Sequence, residues 1–172
     1  MFEQLFLEKY TSKDVGSIED VLERLNQQIQ SSIEVVEFNE MEEILFYQEK
    51  DLQEFIMTLF SQGIHSSETQ AFIKKNQVLL SGVVSFLAQQ YEVIPLCLLL
   101  MLMLVSECDK EQVREGLLFI QLQRRDEGRY GFLNPFKVDM SQIKNNDIEN
   151  FLEKTTYYIL LTLAVAEKRG VL

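Results

Sequence analysis

Few side chains in this sequence have the type and spacing for covalent or acid–base chemistry. The one histidine, His65, stands between Gly63 and the serine pair Ser66-Ser67. A Ser/His/Asp or Cys/His arrangement would have to be assembled around it, and the two serines equally suit capping of a following helix. A zinc site would need His65, a carboxylate and Cys97 or Cys108 gathered in space. Cys97 lies inside an apolar run, where a thiol behaves as a small hydrophobe. Glu42-Glu43 and Asp126-Glu127 are adjacent acids of the kind that face water, whereas glycoside hydrolysis needs two opposed carboxylates. No glycine-rich phosphate loop is present. These residues nominate no catalytic, cofactor-binding or metal-ligating position, and no cofactor is expected.

One cluster has the chemistry of recognition. Arg124, Arg125, Arg129 and Lys137 interleave with Tyr130, Phe132 and Phe136. Arginine and aromatic side chains anchor protein interfaces, and they can also stack on and neutralise single-stranded nucleic acid. Alternatively the aromatics are core, and the arginines pair with Asp126, Glu127 or the acidic N-terminal helices. The interaction candidates are therefore Arg124, Arg125, Arg129, Tyr130, Phe132 and Phe136.

The elements that must hold this cluster are helical. Ser17 and Asp20 open a first long helix with Ile18, Val21, Leu22, Leu25, Ile29, Ile33 and Val36 at helical spacing. Asn39 can cap a second helix, striped by Ile44, Leu45, Leu52, Phe55, Ile56, Leu59 and Phe60 and ended by Gly63. Ser67 and Gln70 form a capping pair for a third, carrying Phe72, Ile73, Leu80, Val83, Val84 and Leu87, with Gly82 as a close-packing point. Pro95 suits the first turn of a fourth, the apolar run Val93 to Val105. Asp109 with Gln112 opens a fifth, and a sixth begins near Asn146-Asp147 and ends at Gly170. A short helix from Phe2 to Tyr10 would make seven. The long non-helical stretch from Arg124 to about Lys144 holds the Arg/aromatic cluster, and loops of this length are often functional.

Composition bounds the class. Glycine (7) and proline (2) are scarce among 172 residues, which argues against a many-stranded sandwich or barrel. The length suits a single domain, residues 1–172. The apolar run falls short of the roughly 20 residues that span a bilayer, so a helix buried on all sides is expected. Glu3 and Glu8 stand where a signal peptide would be basic. Two unpaired cysteines fit a reducing, cytoplasmic setting. Residues 1–70 hold 15 Asp+Glu and 4 Lys+Arg, while residues 71–172 hold 12 of each, so the net charge of −11 belongs to the N-terminal part. Such a surface keeps a protein soluble, or docks a basic partner, and it repels nucleic-acid phosphates and anionic membranes.

Gly116, Phe119-Ile120, Gln123 and Gly128-Arg129-Tyr130-Gly131 resemble the QW repeat of α/α-toroid proteins, a group that includes terpene cyclases and protein prenyltransferase β-subunits. Arg114 and Glu115 stand where the repeat has a basic residue and its neighbour. The resemblance covers about 20 residues, and more loosely the hairpin from Pro95 to Phe136. Tyr130 replaces the usual Trp, the Ile120–Gln123 gap is one residue short, and a single copy is present. The resemblance implies structural roles. Gln123 bonds exposed backbone groups at a helix end, Gly128 and Gly131 permit a turn, and Tyr130 buries its ring against a neighbouring helix. The catalytic motifs of those enzymes, Asp-x-Asp-Asp and Asp-Asp-x-x-Asp, are absent. Asn146 to Asn150 only faintly resembles a diphosphate-metal motif and suits a helix start better.

The expected fold is all-α: six or seven helices packed as antiparallel hairpins with partial α/α-toroid character. The expected function is a non-catalytic interaction module or accessory subunit that binds a protein or peptide, with homo-oligomerisation open and nucleic acid disfavoured by charge. The alternative is an enzyme or small-molecule-binding protein with an apolar pocket lined by Met101, Met103, Phe132 and Tyr158.

Overall fold

The computed structural model describes Ile56, Phe60, residues 66–134 and residues 143–172. The described part is helical and contains no strand, only one isolated β-bridge between Arg124 and Tyr130. Its helices are α1 (Ser67–Lys75), α2 (Gln77–Gln89), α3 (Val93–Val105), α4 (Lys110–Leu122) and α5 (Asn145–Lys168). The helices expected from Phe2 to Tyr10 and from Ser17 to Val36 lie outside the described residues. Of the second expected helix, Ile56 and Phe60 are described, and both are helical and buried in the core.

α3 is the centre of the fold. Eleven of its 13 residues are buried, as an all-apolar helix in a globular core must be. α5 lies along it, and α1, α2 and α4 also pack on it. α2 and α4 meet each other beside α3, and short turns join α2 to α3 and α3 to α4, making two consecutive helical hairpins. Pro95 sits in the first turn of α3, where its missing N–H leaves no hydrogen bond unmade.

The helix ends follow a shared pattern. After α2, α3 and α5 the chain enters the left-handed region at Tyr91 (φ 58°), Glu107 (φ 56°) and Gly170 (φ 64°). Each end makes the paired Schellman bonds, for example Gly170 N–H to Glu167 O at 2.9 Å and Val171 N–H to Ala166 O at 3.0 Å. Only Gly170 announces its end by residue type.

Several local expectations are corrected. The cap of α1 is Ser66, not Ser67: its Oγ accepts from Thr69 N–H at 3.2 Å. The third expected helix is two, broken at Asn76, whose side-chain amide donates to Phe72 O at 2.9 Å and whose backbone (φ −103°, ψ 17°) leaves the helical well. Asp109 does precede α4, but its carboxylate does not cap the helix. It accepts from Lys74 Nζ and Gln77 Nε2, both at 2.8 Å, while Gln77 Oε1 accepts from Asp109 N–H at 2.7 Å. The α3–α4 turn is thereby clamped to the α1–α2 junction. Gly82 has nothing within 4 Å of where a Cβ would stand, so it is no packing point. That role falls to Gly116, where a Cβ would lie 2.6 Å from Val84 Cγ1 and 2.8 Å from Leu100 Cδ2. The bare backbone of Gly116 lets α4 settle onto α2 and α3 together.

Candidate interaction site: the Arg/aromatic hairpin

The segment after α4 is a tight hairpin anchored at three levels. Arg125 N–H donates to Arg129 O at 2.7 Å, and Gly131 N–H donates to Gln123 O at 2.9 Å. Between them the chain reverses through consecutive left-handed residues, Glu127 (φ 67°) and Gly128 (φ 76°). Gln123, itself buried, uses its side-chain Oε1 to accept from Phe132 N–H at 3.0 Å. These bonds close the hairpin onto the end of α4.

α5 holds the other side. Thr156 Oγ1 accepts from Tyr130 N–H at 2.9 Å and donates to Tyr130 O at 3.3 Å. Gly131 (φ 126°) presses so close that a Cβ there would lie 3.1 Å from both Phe151 and Thr155. The Tyr130 ring is 4% exposed and joins the core. Asn134 Nδ2 then donates to Gln90 O at 3.1 Å, tying the outgoing chain to the end of α2. Gln123 thus bonds backbone at the end of α4, Gly128 and Gly131 hold the turn at positive φ, and Tyr130 is buried.

The candidates divide into three groups. Arg124, Arg125 and Phe132 are exposed. With Asp126, Glu127 and Arg129 they line an open concavity of about 690 Å³. The Arg125 guanidinium lies 5.4 Å from the Phe132 ring centroid, and its Nη1 donates to Gly131 O at 3.3 Å. Arg129 lines the same concavity but is half-buried and committed to Glu149 at 2.8 Å and Glu127 at 3.4 Å. Tyr130 is a correction. It is an anchor rather than a contact residue, because burying its ring is what fixes the hairpin on α5. Phe136 and Lys137 lie outside the described residues, as do His65 and the acids of residues 1–55.

The other chemically capable groups are placed in the core or in structural ties. Cys97 and Cys108 are both buried and unpaired. Burial pushes the Cys97 thiol up to about 12, partly offset by its hydrogen bond with Thr162. Burial likewise pushes Cys108 up to about 11, against the opposing charge of Lys74. Lys74 and Asp109 stabilise each other's charged forms through their hydrogen bond, the lysine shifted up and the aspartate down. Among the described residues no three His, Cys, Asp or Glu side chains gather where a metal ion could sit. Nor is any described helix long and apolar enough to cross a membrane.

Met101 and Met103 are fully buried in the core, and Phe132 belongs to the surface concavity. A second concavity of about 330 Å³ lies between α4 and the C-terminal residues, lined by Lys110, Glu111, Arg114, Leu117, Leu118, Gln121, Val171 and Leu172. Neither concavity includes Met101, Met103 or Tyr158.

Sequence reasoning missed the contribution of α5. Thr155, Thr156 and Thr162 are all fully buried, yet threonines within an amphipathic helix read as part of its polar face. Only the partner at Tyr130 reveals Thr156 as an anchor. No protein-family model, curated protein or solved structure matches this chain. The fold and site define a helical domain that displays a fixed Arg/aromatic hairpin.

Proposed function

We propose that the protein is a non-catalytic interaction module or accessory subunit that holds a protein or peptide partner at the hairpin following α4. One observation carries this reading. Exposed Arg124, Arg125 and Phe132 are presented around a surface concavity by a loop stitched to both α4 and α5. Arginine and aromatic side chains contribute most to binding when they are held in place before the partner arrives. The acidic N-terminal part would tune the rate and selectivity of encounter. The buried, reduced thiols accord with a cytoplasmic setting. The hairpin's resemblance to a toroid repeat supports partial α/α-toroid character for the same helices.

The test is affinity capture from lysate of the source cells at moderate salt, with the wild-type chain and the double variant Arg124→Glu/Arg125→Glu as baits. Arg129 is left intact because its reversal would break the Glu149 pair and loosen the hairpin. A stoichiometric partner that the wild type retains and the variant loses, at unchanged helicity, is expected. Undiminished capture by the variant removes the hairpin from the account.

A further inference from the structure

We infer that the outer face of α2 seats the same face of a second copy of this chain, the two helices running antiparallel across Gly82. This surface is separate from the hairpin, since none of its residues lines the concavity there, and the inference does not rest on the interaction reading above. Val78, Gly82 and Phe86 follow one another at four-residue spacing and so share one face of α2. Val78 is 72% and Phe86 43% exposed. Gly82 between them is exposed too, and among the described residues nothing stands within 4 Å of where its Cβ would be. Glycine inside a helix weakens it relative to alanine, and no close approach among the described residues accounts for one here. Flanked by two larger apolar side chains, Gly82 leaves a notch in the helix surface that a ridge from outside can enter.

Charge selects the occupant. The net charge of −11 makes copies of the chain repel one another wherever their charged faces meet. Among the described helices only α2 and α3 carry no Asp, Glu, Lys or Arg, and α3 is enclosed by the core. The α2 face is thus the described helical surface on which two copies can meet without opposing like charges. A partner of another sequence would find no charge there by which to be selected. In a two-fold pair each copy offers the same patch. Gly82 lies near the middle of α2, so an axis beside it sets Val78 of one copy against Phe86 of the other. It also lays the N-terminal end of each α2, next to the exposed Lys75, by the C-terminal end of the other, an arrangement that the helix dipoles favour.

The experiment follows the full chain by sedimentation velocity over a range of about a hundredfold in concentration, micromolar upwards. The wild type should pass from monomer to dimer, and added salt should leave the dimer intact or strengthen it, because the contact is uncharged and the copies repel. Phe86→Glu and Gly82→Leu should each raise the dimer dissociation constant about tenfold or more. Circular dichroism and thermal unfolding check that both variants keep the fold. A short bismaleimide should join Val78→Cys to Phe86→Cys in an equimolar mixture faster than it joins either variant to itself. A dimer unmoved by both substitutions, a dimer dissolved by salt, or cross-linking of like with like would each overturn the inference. So would a chain that stays monomeric. In that case a Val78→Cys thiol that resists maleimide means that the chain itself covers the face, and one that reacts freely leaves the face to a partner of another sequence.

Discussion

Two glycines on neighbouring helices should respond oppositely to the same methyl group. Glycine in a helix interior is less favourable than alanine by about 1 kcal/mol. Gly82, exposed within α2, has nothing within 4 Å of a new Cβ, so Gly82→Ala should gain most of that amount. At Gly116 the same change brings the Cβ to 2.6 Å from Val84 Cγ1 and 2.8 Å from Leu100 Cδ2. Both neighbours are buried to within 1%. Val84 is stiff at χ1 within its helix, and Leu100 is enclosed by core, so neither can swing aside into solvent. Overpacking of this kind costs about 1–3 kcal/mol, which exceeds the propensity gain. Gly116→Ala should therefore lose about 1 kcal/mol, and the two variants should differ by about 2 kcal/mol; each kcal/mol moves Tm by roughly 2–8 °C over the range of domain sizes. Urea unfolding followed at the helical circular-dichroism band, with equal m-values, measures the difference. A coupled test adds Val84→Ala, which removes the clashing methyl. It should cost at least about 0.5 kcal/mol less in the Gly116→Ala background than in the wild type. If Gly116→Ala stabilises as Gly82→Ala does, or if the Val84 change is additive, the close approach of α4 to α2 and α3 is wrong.

The other predictions concern the hairpin and the thiols. Thr156→Val keeps the shape but leaves the buried Tyr130 N–H unpaired, so stability should fall by about 1–3 kcal/mol and the Tyr130 amide should exchange faster with solvent. Thr156→Ser should fall less on the first count, and a valine variant as stable as wild type would remove Thr156 as an anchor. Cys97 and Cys108 should resist iodoacetamide at pH 8 in the folded chain and react on denaturation, because burial holds both well above the ordinary 9.0. Since the folded thiols keep their protons longer than the unfolded ones, their contribution to stability is complete below pH 9. It declines as pH rises from there towards about 12 for Cys97. Unfolding midpoints across that range should fall less steeply in Cys97→Val, with the share due to Cys108 remaining.

Much of the fold was legible because it depends on local pattern. The run Val93 to Val105 has no polar face to offer water, so burial on all sides followed from composition alone. Gly170 could be assigned to a helix end because a left-handed residue there favours glycine. The same rule misses Tyr91 and Glu107, which hold that conformation without the residue type that signals it. The cluster of arginines and aromatics was legible as a group, and the toroid-repeat resemblance implied backbone bonding by Gln123 and a turn at the glycines, which the hairpin shows.

By itself, then, the sequence determined the helical class, the central helix and the segment that carries the Arg/aromatic cluster. Only the tertiary structure decided which members of that cluster face outward. Tyr130 goes inward because Thr156, 26 residues away, receives its backbone. Arg129 is committed because Glu149 on α5 stands 2.8 Å from it, and Arg125 is oriented by Phe132 and Gly131. It also exchanged the roles of Gly82 and Gly116, since identical residues differ only in what another helix brings to within a methyl's reach. Helical periodicity is a property of neighbours along the chain, whereas exposure, pairing and close approach depend on residues that the fold brings together.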